Sequence, residues 1–138
     1  MGELRWDDVR EWFDPVDGCL HDGCVDRVGP GAWLAVVALV REKGWPFEER
    51  ELSLAVWPAE GFQVNFFESA GDYDVLFDIH VGELQGQGRL DLLSAFLRGL
   101  GREFGRPVAL AFEGCDPSEV PYLHYDPVVD GFVFDREP

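Results

Sequence analysis

Apolar residues return along the chain with two different periods, which predict helices and strands in separate segments. In residues 89–104, leucine and phenylalanine recur at spacings of three and four, the pattern of an amphipathic helix. Residues 30–43 are apolar on most sides and end at Gly44, which predicts a second, largely buried helix. A shorter helix is predicted over residues 5–13, where the aromatic residues and Val9 would share one face.

Alternation of apolar and polar residues predicts strands between and after these helices. Residues 51–56, 64–66 and 73–81 would form a meander, and the third segment alternates most clearly. Residues 108–114 predict a further strand. Residues 122–135 predict two strands around a tight turn at Asp130-Gly131, because Asp-Gly is a strong hairpin signal and glycine accepts the positive φ of such turns.

These segments predict one α+β domain over residues 1–138. We expect a mainly antiparallel sheet of about four to six strands, packed against two main helices. The segment between the first helix and Cys24 is rich in turn-forming residues, so we expect no strand before Val25.

The net charge of the chain limits the kinds of partner that it can bind. The chain has 27 Asp and Glu against 11 Lys and Arg, a formal net charge of −16. Such a surface repels nucleic acid and anionic lipid and favours encounter with basic partners, although acidity also serves solubility alone. We therefore expect no binding to nucleic acid or membrane. The N-terminus shows no signal-peptide pattern, and the longest apolar run, residues 32–40, is too short to span a bilayer. The number of cysteines is odd, which does not fit a closed disulfide framework. We therefore predict a cytoplasmic protein with reduced thiols.

One phrase occurs twice, as FDPVDGCLHD in residues 13–22 and as YDPVVDGFVFD in residues 125–135. The first copy and the residues just after it contain Cys19, His21 and Cys24, side chains that suit zinc. A fourth ligand would have to come from Cys115, His80 or His124. The spacing fits no common zinc motif, so we predict that this segment is a turn leading to Val25 that binds no metal, and that the protein has no cofactor.

Asp78 and His80 lie two residues apart and would share one face of a strand. A carboxylate beside an imidazole is how many general bases are built, and Ser53 or Asn65 could supply a neighbouring group. The chain lacks a nucleophile elbow, a glycine-rich phosphate loop and a zinc-protease motif. We predict that the protein is not an enzyme, and a small enzyme that uses Asp78 and His80 remains the alternative.

The polar face of the meander also contains large apolar residues. Three of them share that face with polar and acidic positions, namely Trp57, Phe67 and Leu76 with Ser53, Asn65, Asp74, Asp78 and His80. Apolar anchors ringed by polar groups are typical of protein interfaces. The alternative is that a helix covers this face and that Trp57 belongs to the core.

The order of elements, together with residues 108–114 (VALAFEG), 123–127 (LHYDP) and 131–134 (GFVF), resembles the small acidic immunity proteins of bacterial polymorphic-toxin systems. The resemblance implies a protein that binds and blocks a cognate toxin, often a nuclease or another enzyme that acts on nucleic acid. It implies no particular binding residues.

We take the partner-binding residues from the predicted sheet face and the loop after residues 108–114. They are Trp57, Phe67, Asp74, Asp78, Glu113, Asp116 and Glu119. The partner is expected to be basic and the free protein a monomer. An acidic adaptor without a toxin partner is the second alternative.

Overall fold

A computed structural model describes residues 3–15 and 20–136. This part of the chain forms three α-helices and eight β-strands. The helices are α1 (Trp6–Val9), α2 (Ala32–Lys43) and α3 (Gln87–Phe104). The strands are β1 (Leu20–Val25), β2 (Phe47–Glu49), β3 (Ser53–Ala59), β4 (Phe62–Glu68), β5 (Val75–His80), β6 (Val108–Phe112), β7 (Leu123–Asp126) and β8 (Gly131–Phe134).

All eight strands belong to one sheet, in the order β2-β3-β4-β5-β1-β6-β7-β8. Every neighbouring pair is antiparallel. The predicted α+β class and antiparallel sheet are confirmed, whereas the predicted number of strands is wrong. The two strands that the sequence pattern missed are β2, a short edge strand, and β1, which lies between β5 and β6.

The sequence pattern fails at β1 because Leu20–Val25 reads Leu-His-Asp-Gly-Cys-Val, and Asp and Gly disfavour strands. Tertiary packing overrides this preference. Gly23 lies opposite Phe77 of β5, and a Cβ at Gly23 would stand 2.2 Å from Cζ of that ring. The ring therefore needs a glycine beneath it. The prediction of a turn up to Cys24 is wrong for residues 20–24, and residues 16–19 lie outside the described residues.

Both long helices pack on the same face of the sheet. The leucines whose spacing predicted α3 are fully buried, namely Leu90, Leu93, Leu97 and Leu100. Phe96 of the same helix contacts the rings of Phe62, Phe66 and Phe77. The buried residues of α2 belong to the same hydrophobic cluster. We call this side the helical face, and the opposite side the open face. Antiparallel sheets tolerate a solvated face of this kind.

The two shorter helix predictions need correction. α2 is less buried than expected, since Leu34 is 73% exposed. α1 covers only four residues of the predicted 5–13, yet Trp12 and Phe13 beyond its end are buried. Trp12 packs against Tyr122 and Phe134, with ring centroids 4.8 Å and 5.5 Å apart. Long-range aromatic packing, rather than helix periodicity, explains the apolar spacing in this segment.

The predicted hairpin is confirmed as β7 and β8, although its turn differs in detail. Asp130 has the positive φ, 50°, that we expected at Gly131. Oδ1 of Asp126 accepts a hydrogen bond from the backbone N–H of Val128 at 2.9 Å. The carboxylate of Asp130 accepts hydrogen bonds from Arg98 at 3.1 Å and Arg102 at 3.0 Å, so α3 holds the turn.

No helix in the described residues combines the length and apolar composition that crossing a bilayer requires.

Helix α3 and strand β7 are in close contact at Gly101, which gives a test of the packing. A Cβ at Gly101 would stand 2.4 Å from Cδ2 of Tyr125, whose ring is fully buried. Gly101→Ala should therefore lower the free energy of unfolding by about 1–3 kcal/mol, the usual cost of overpacking. Denaturant unfolding measures this change.

Gly99→Ala in the same helix is the matched control, because a Cβ there meets no atom within 4 Å. Alanine is the better helix former, so this variant should be unchanged or more stable by up to about 1 kcal/mol. Equal effects from the two substitutions would contradict the close packing of α3 on Tyr125.

Candidate functional site

The open face is built by matching residues of neighbouring strands. One row across the sheet contains Ser53, Phe67, Leu76, Cys24 and Ala109. The next row contains Ala55, Asn65, Asp78, Asp22 and Ala111. The first row is mostly apolar and the second contains two carboxylates, so the open face is neither a bare core surface nor a uniformly charged one.

A groove of about 430 Å³ lies on this face, next to the loop that follows β6. Apolar atoms of Phe67, Leu76 and Cys24 contribute to its surface. Four carboxylates also line it, from Asp22, Asp26, Asp74 and Asp116, and Pro117 and Ser118 close one side. We call this feature the acidic groove. It combines apolar surface with a concentration of negative charge.

Hydrogen bonds from neighbouring residues hold two carboxylates of the acidic groove, those of Asp74 and Asp116, in position. Oδ1 of Asp74 accepts a hydrogen bond from the N–H of Arg27 at 2.8 Å. Oδ1 of Asp116 accepts hydrogen bonds from the N–H of Ser118 at 2.9 Å and from its hydroxyl at 2.7 Å. These bonds fix the direction of each side chain before any partner arrives, which lowers the entropy lost on binding.

Two further acids, Asp78 and Glu113, lie near Asp22 of the groove. Burial raises the pKa of Asp22, and the nearby charges of Asp78 and Glu113 raise it further, against a backbone hydrogen bond from Gly114. Burial likewise raises the pKa of Asp78, while a hydrogen bond from Asn65 at 2.8 Å lowers it. Carboxylates that are both desolvated and close to one another are stabilised by an added cation.

Cys24 lies at the base of the groove and is 3% exposed. Burial raises the pKa of its thiol to about 12, with further contributions from Asp26, Asp116 and Asp74. The thiol is therefore protonated at neutral pH and poorly suited to act as a nucleophile.

The structure brings together most of the residues that we predicted to bind the partner. Phe67, Asp74 and Asp116 line the acidic groove, and Asp78 and Glu113 both act on Asp22. Glu119 is exposed in the loop that carries Asp116. Trp57 is half-buried, belongs to β3 where its register with β4 shifts, and does not line the groove.

The alternative in which a helix covers this face is wrong, because α2 and α3 pack on the other one. Sequence reasoning missed Asp22, Cys24 and Asp26, all of which line the groove. Their spacing of two residues was the available signal, since it places them on one face of an extended segment. This spacing is informative only for a strand, and the segment was predicted to be a turn.

His21 and Cys24 lie on opposite sides of the sheet, so they do not meet at one metal ion. His21 is 4% exposed on the helical face, and its Nδ1 lies 2.8 Å from the hydroxyl of Tyr122. Among the described residues, no three His, Cys, Asp or Glu side chains are arranged to hold a metal ion. Cys19, the third ligand candidate, lies outside those residues.

Asp78 and His80 share one face of β5, as the spacing predicts. The hydrogen bond that Asp78 accepts comes from Asn65, and neither Asp78 nor His80 is among the residues that line the acidic groove.

Comparison with protein-family models, curated proteins and solved structures gives no match for this chain. The resemblance to immunity proteins therefore stays a prediction that depends on the residues quoted above.

The buried His21 predicts a specific pH dependence of stability. Burial lowers the pKa of His21 from 6.5 to about 4, so the folded protein keeps the ring neutral. Between these values the unfolded chain binds a proton that the folded protein does not. Stability from this group is complete above pH 6.5 and falls by about 3 kcal/mol as the pH drops to 4.

His21→Asn places an amide near the position of Nδ1. The asparagine side chain does not titrate, so the variant lacks the pH dependence of stability that His21 causes. Urea unfolding of both proteins from pH 7.5 to pH 4 measures the effect. As the pH falls, the free energy of unfolding should decrease more in the wild-type protein than in the variant. Asp22 and Asp78 titrate in both proteins and cancel. A difference that stays constant with pH would contradict a neutral, buried His21.

Proposed function

We propose that this protein is a cytoplasmic immunity protein, a monomer when free, which binds a basic bacterial toxin and occludes its active site. The toxin would be an enzyme that acts on nucleic acid. The binding surface would be the open face of the sheet, centred on the acidic groove.

The acidic groove is the observation that carries this proposal. Four carboxylates surround apolar surface from Phe67, Leu76 and Cys24, on a face that the two long helices leave uncovered. An enzyme that binds nucleic acid presents cationic side chains around its active site, because it must hold phosphate groups. The groove offers opposite charge at the place where such a surface would meet it.

The rest of the surface supports the same role. A net charge of −16 attracts a cationic protein over long distances and raises the association rate, mainly at low ionic strength. Apolar contacts with Phe67 and its neighbours would then slow dissociation. Charge would therefore increase the association rate of the toxin, and burial of apolar surface would decrease its dissociation rate.

Neutralising the groove should weaken protection against the toxin. Asp74→Asn with Asp116→Asn removes two charges and keeps the Oδ1 acceptors, so the fold should survive. Cells that express the toxin encoded beside the gene should survive with the wild-type protein. The double variant should protect them less well, and the dissociation constant of its purified complex with the toxin should be at least about tenfold higher, which corresponds to about 1.4 kcal/mol of binding free energy.

Glu42→Gln with Glu103→Gln is the matched control, because both residues are exposed on α2 and α3, on the other side of the sheet. This pair removes the same charge and should protect cells as the wild type does. If the wild-type protein leaves the toxin lethal, the proposed function is wrong. If both double variants weaken the complex equally, only general charge matters and the groove has no special part.

A further inference from the structure

The acidic groove has the features of a receptor for one kind of side chain. Its apolar surface comes from an aromatic ring, Phe67, which is 36% exposed, and from the aliphatic side chain of Leu76. These two residues are directly opposite each other on β4 and β5. A flat apolar group or an aliphatic stem would cover both of them at once.

The charges of the groove come from three separate segments of the chain. Asp26 follows β1, Asp74 precedes β5 and Asp116 lies in the loop after β6, and all three line the groove. The hydrogen bonds that orient Asp74 and Asp116 use Oδ1 of each, which leaves Oδ2 for a ligand. A cationic side chain in the groove would therefore lie among carboxylates that different segments supply.

Cys24 gives a second and independent indication of a ligand. Cys24 is 3% exposed, lines the groove and has, among the described residues, neither a disulfide nor a hydrogen-bond partner. A protonated thiol sulfur is a weak acceptor for an N–H group. An N–H donor in the groove would satisfy this sulfur while it pairs with the carboxylates.

We infer that the acidic groove receives an arginine side chain from the partner, with the guanidinium between the carboxylates of Asp74 and Asp116 and the stem against Leu76. This inference rests on the proposed function for the identity of the partner, but the groove itself can be tested without it. A guanidinium is preferred to an ammonium because it is planar, stacks on aromatic rings such as Phe67, and binds carboxylates with two parallel hydrogen bonds.

The chain's own arginine nearby does not occupy this position. Arg27 follows Asp26, and its Nε lies 3.7 Å from the Asp26 carboxylate. The Arg27 side chain is 82% exposed and is not among the residues that line the groove. It belongs to the rim, where an exposed pair of this kind contributes little.

The test uses the full-length protein and the tripeptide acetyl-Gly-Arg-Gly-amide, followed by two-dimensional amide NMR. The arginine peptide should produce saturable shifts at residues 74, 76 and 118. The same peptide with citrulline, which has the same shape without the charge, should produce none there. Lysine in place of arginine should bind several-fold more weakly.

Asp74→Asn with Asp116→Asn should weaken the arginine peptide about tenfold, whereas Glu42→Gln with Glu103→Gln should not. A melting curve of each variant confirms that it is folded. Equal shifts from the arginine and citrulline peptides, equal binding of lysine, or shifts spread over the whole surface would each overturn the inference.

The outcome is separable from that of the toxin experiment. Saturable arginine binding without protection against the toxin would reject the proposed function and keep the arginine site. Protection without arginine binding in the groove would reject the arginine site alone.

Discussion

The contact between Gly23 and the ring of Phe77 holds the centre of this protein together. The ring lies over the glycine on β1 and also packs against Phe66 of β4 and Phe96 of α3, with centroids 5.9 Å and 5.5 Å away. Strand β1 separates the meander β2–β5 from strands β6–β8 in the sheet order. Strand β1 therefore joins the two parts of the sheet through its pairing with β5 and β6, and α3 contacts β1 on the helical face.

The same strand connects the fold to the proposed function. Its residues alternate in direction, so His21, Gly23 and Val25 face the helices, while Asp22 and Cys24 face the other way. The inward set completes the core. The outward set brings a carboxylate and a thiol into the acidic groove, beside Asp74, which directly precedes β5, and Asp116 from the loop after β6. Because all long helices lie on one side, the groove stays uncovered.

The sequence predicts the elements whose local pattern agrees with their final environment. Helix α3 and strand β5 are of this kind, because the periods of their apolar residues match the burial that they reach. Strand β1 is the opposite case. Its Asp and Gly have strand positions only because Phe77 requires a small residue and because one face of the sheet is open. No local pattern in Leu-His-Asp-Gly-Cys-Val contains that information.

The candidate site follows the same division. Phe67, Asp74 and Asp78 could be placed on one face from the alternation of the meander alone. Asp22, Cys24 and Asp26 could not, because their contribution depends on long-range pairing of β1 with β5 and β6. Trp57 does not line the groove, and the register shift between Val56 and Ala59 is invisible in the alternation that predicted its place.

Carboxyl footprinting of the complex with the cognate toxin tests the central claim, that a partner covers the open face, most directly. Carbodiimide labelling with glycinamide, read by mass spectrometry, compares each carboxylate in the free and bound protein. The account predicts that toxin binding protects Asp26, Asp74 and Asp116, and leaves Glu42 and Glu103 on the helices as reactive as before. Protection of the helical carboxylates with unchanged labelling in the groove would contradict it.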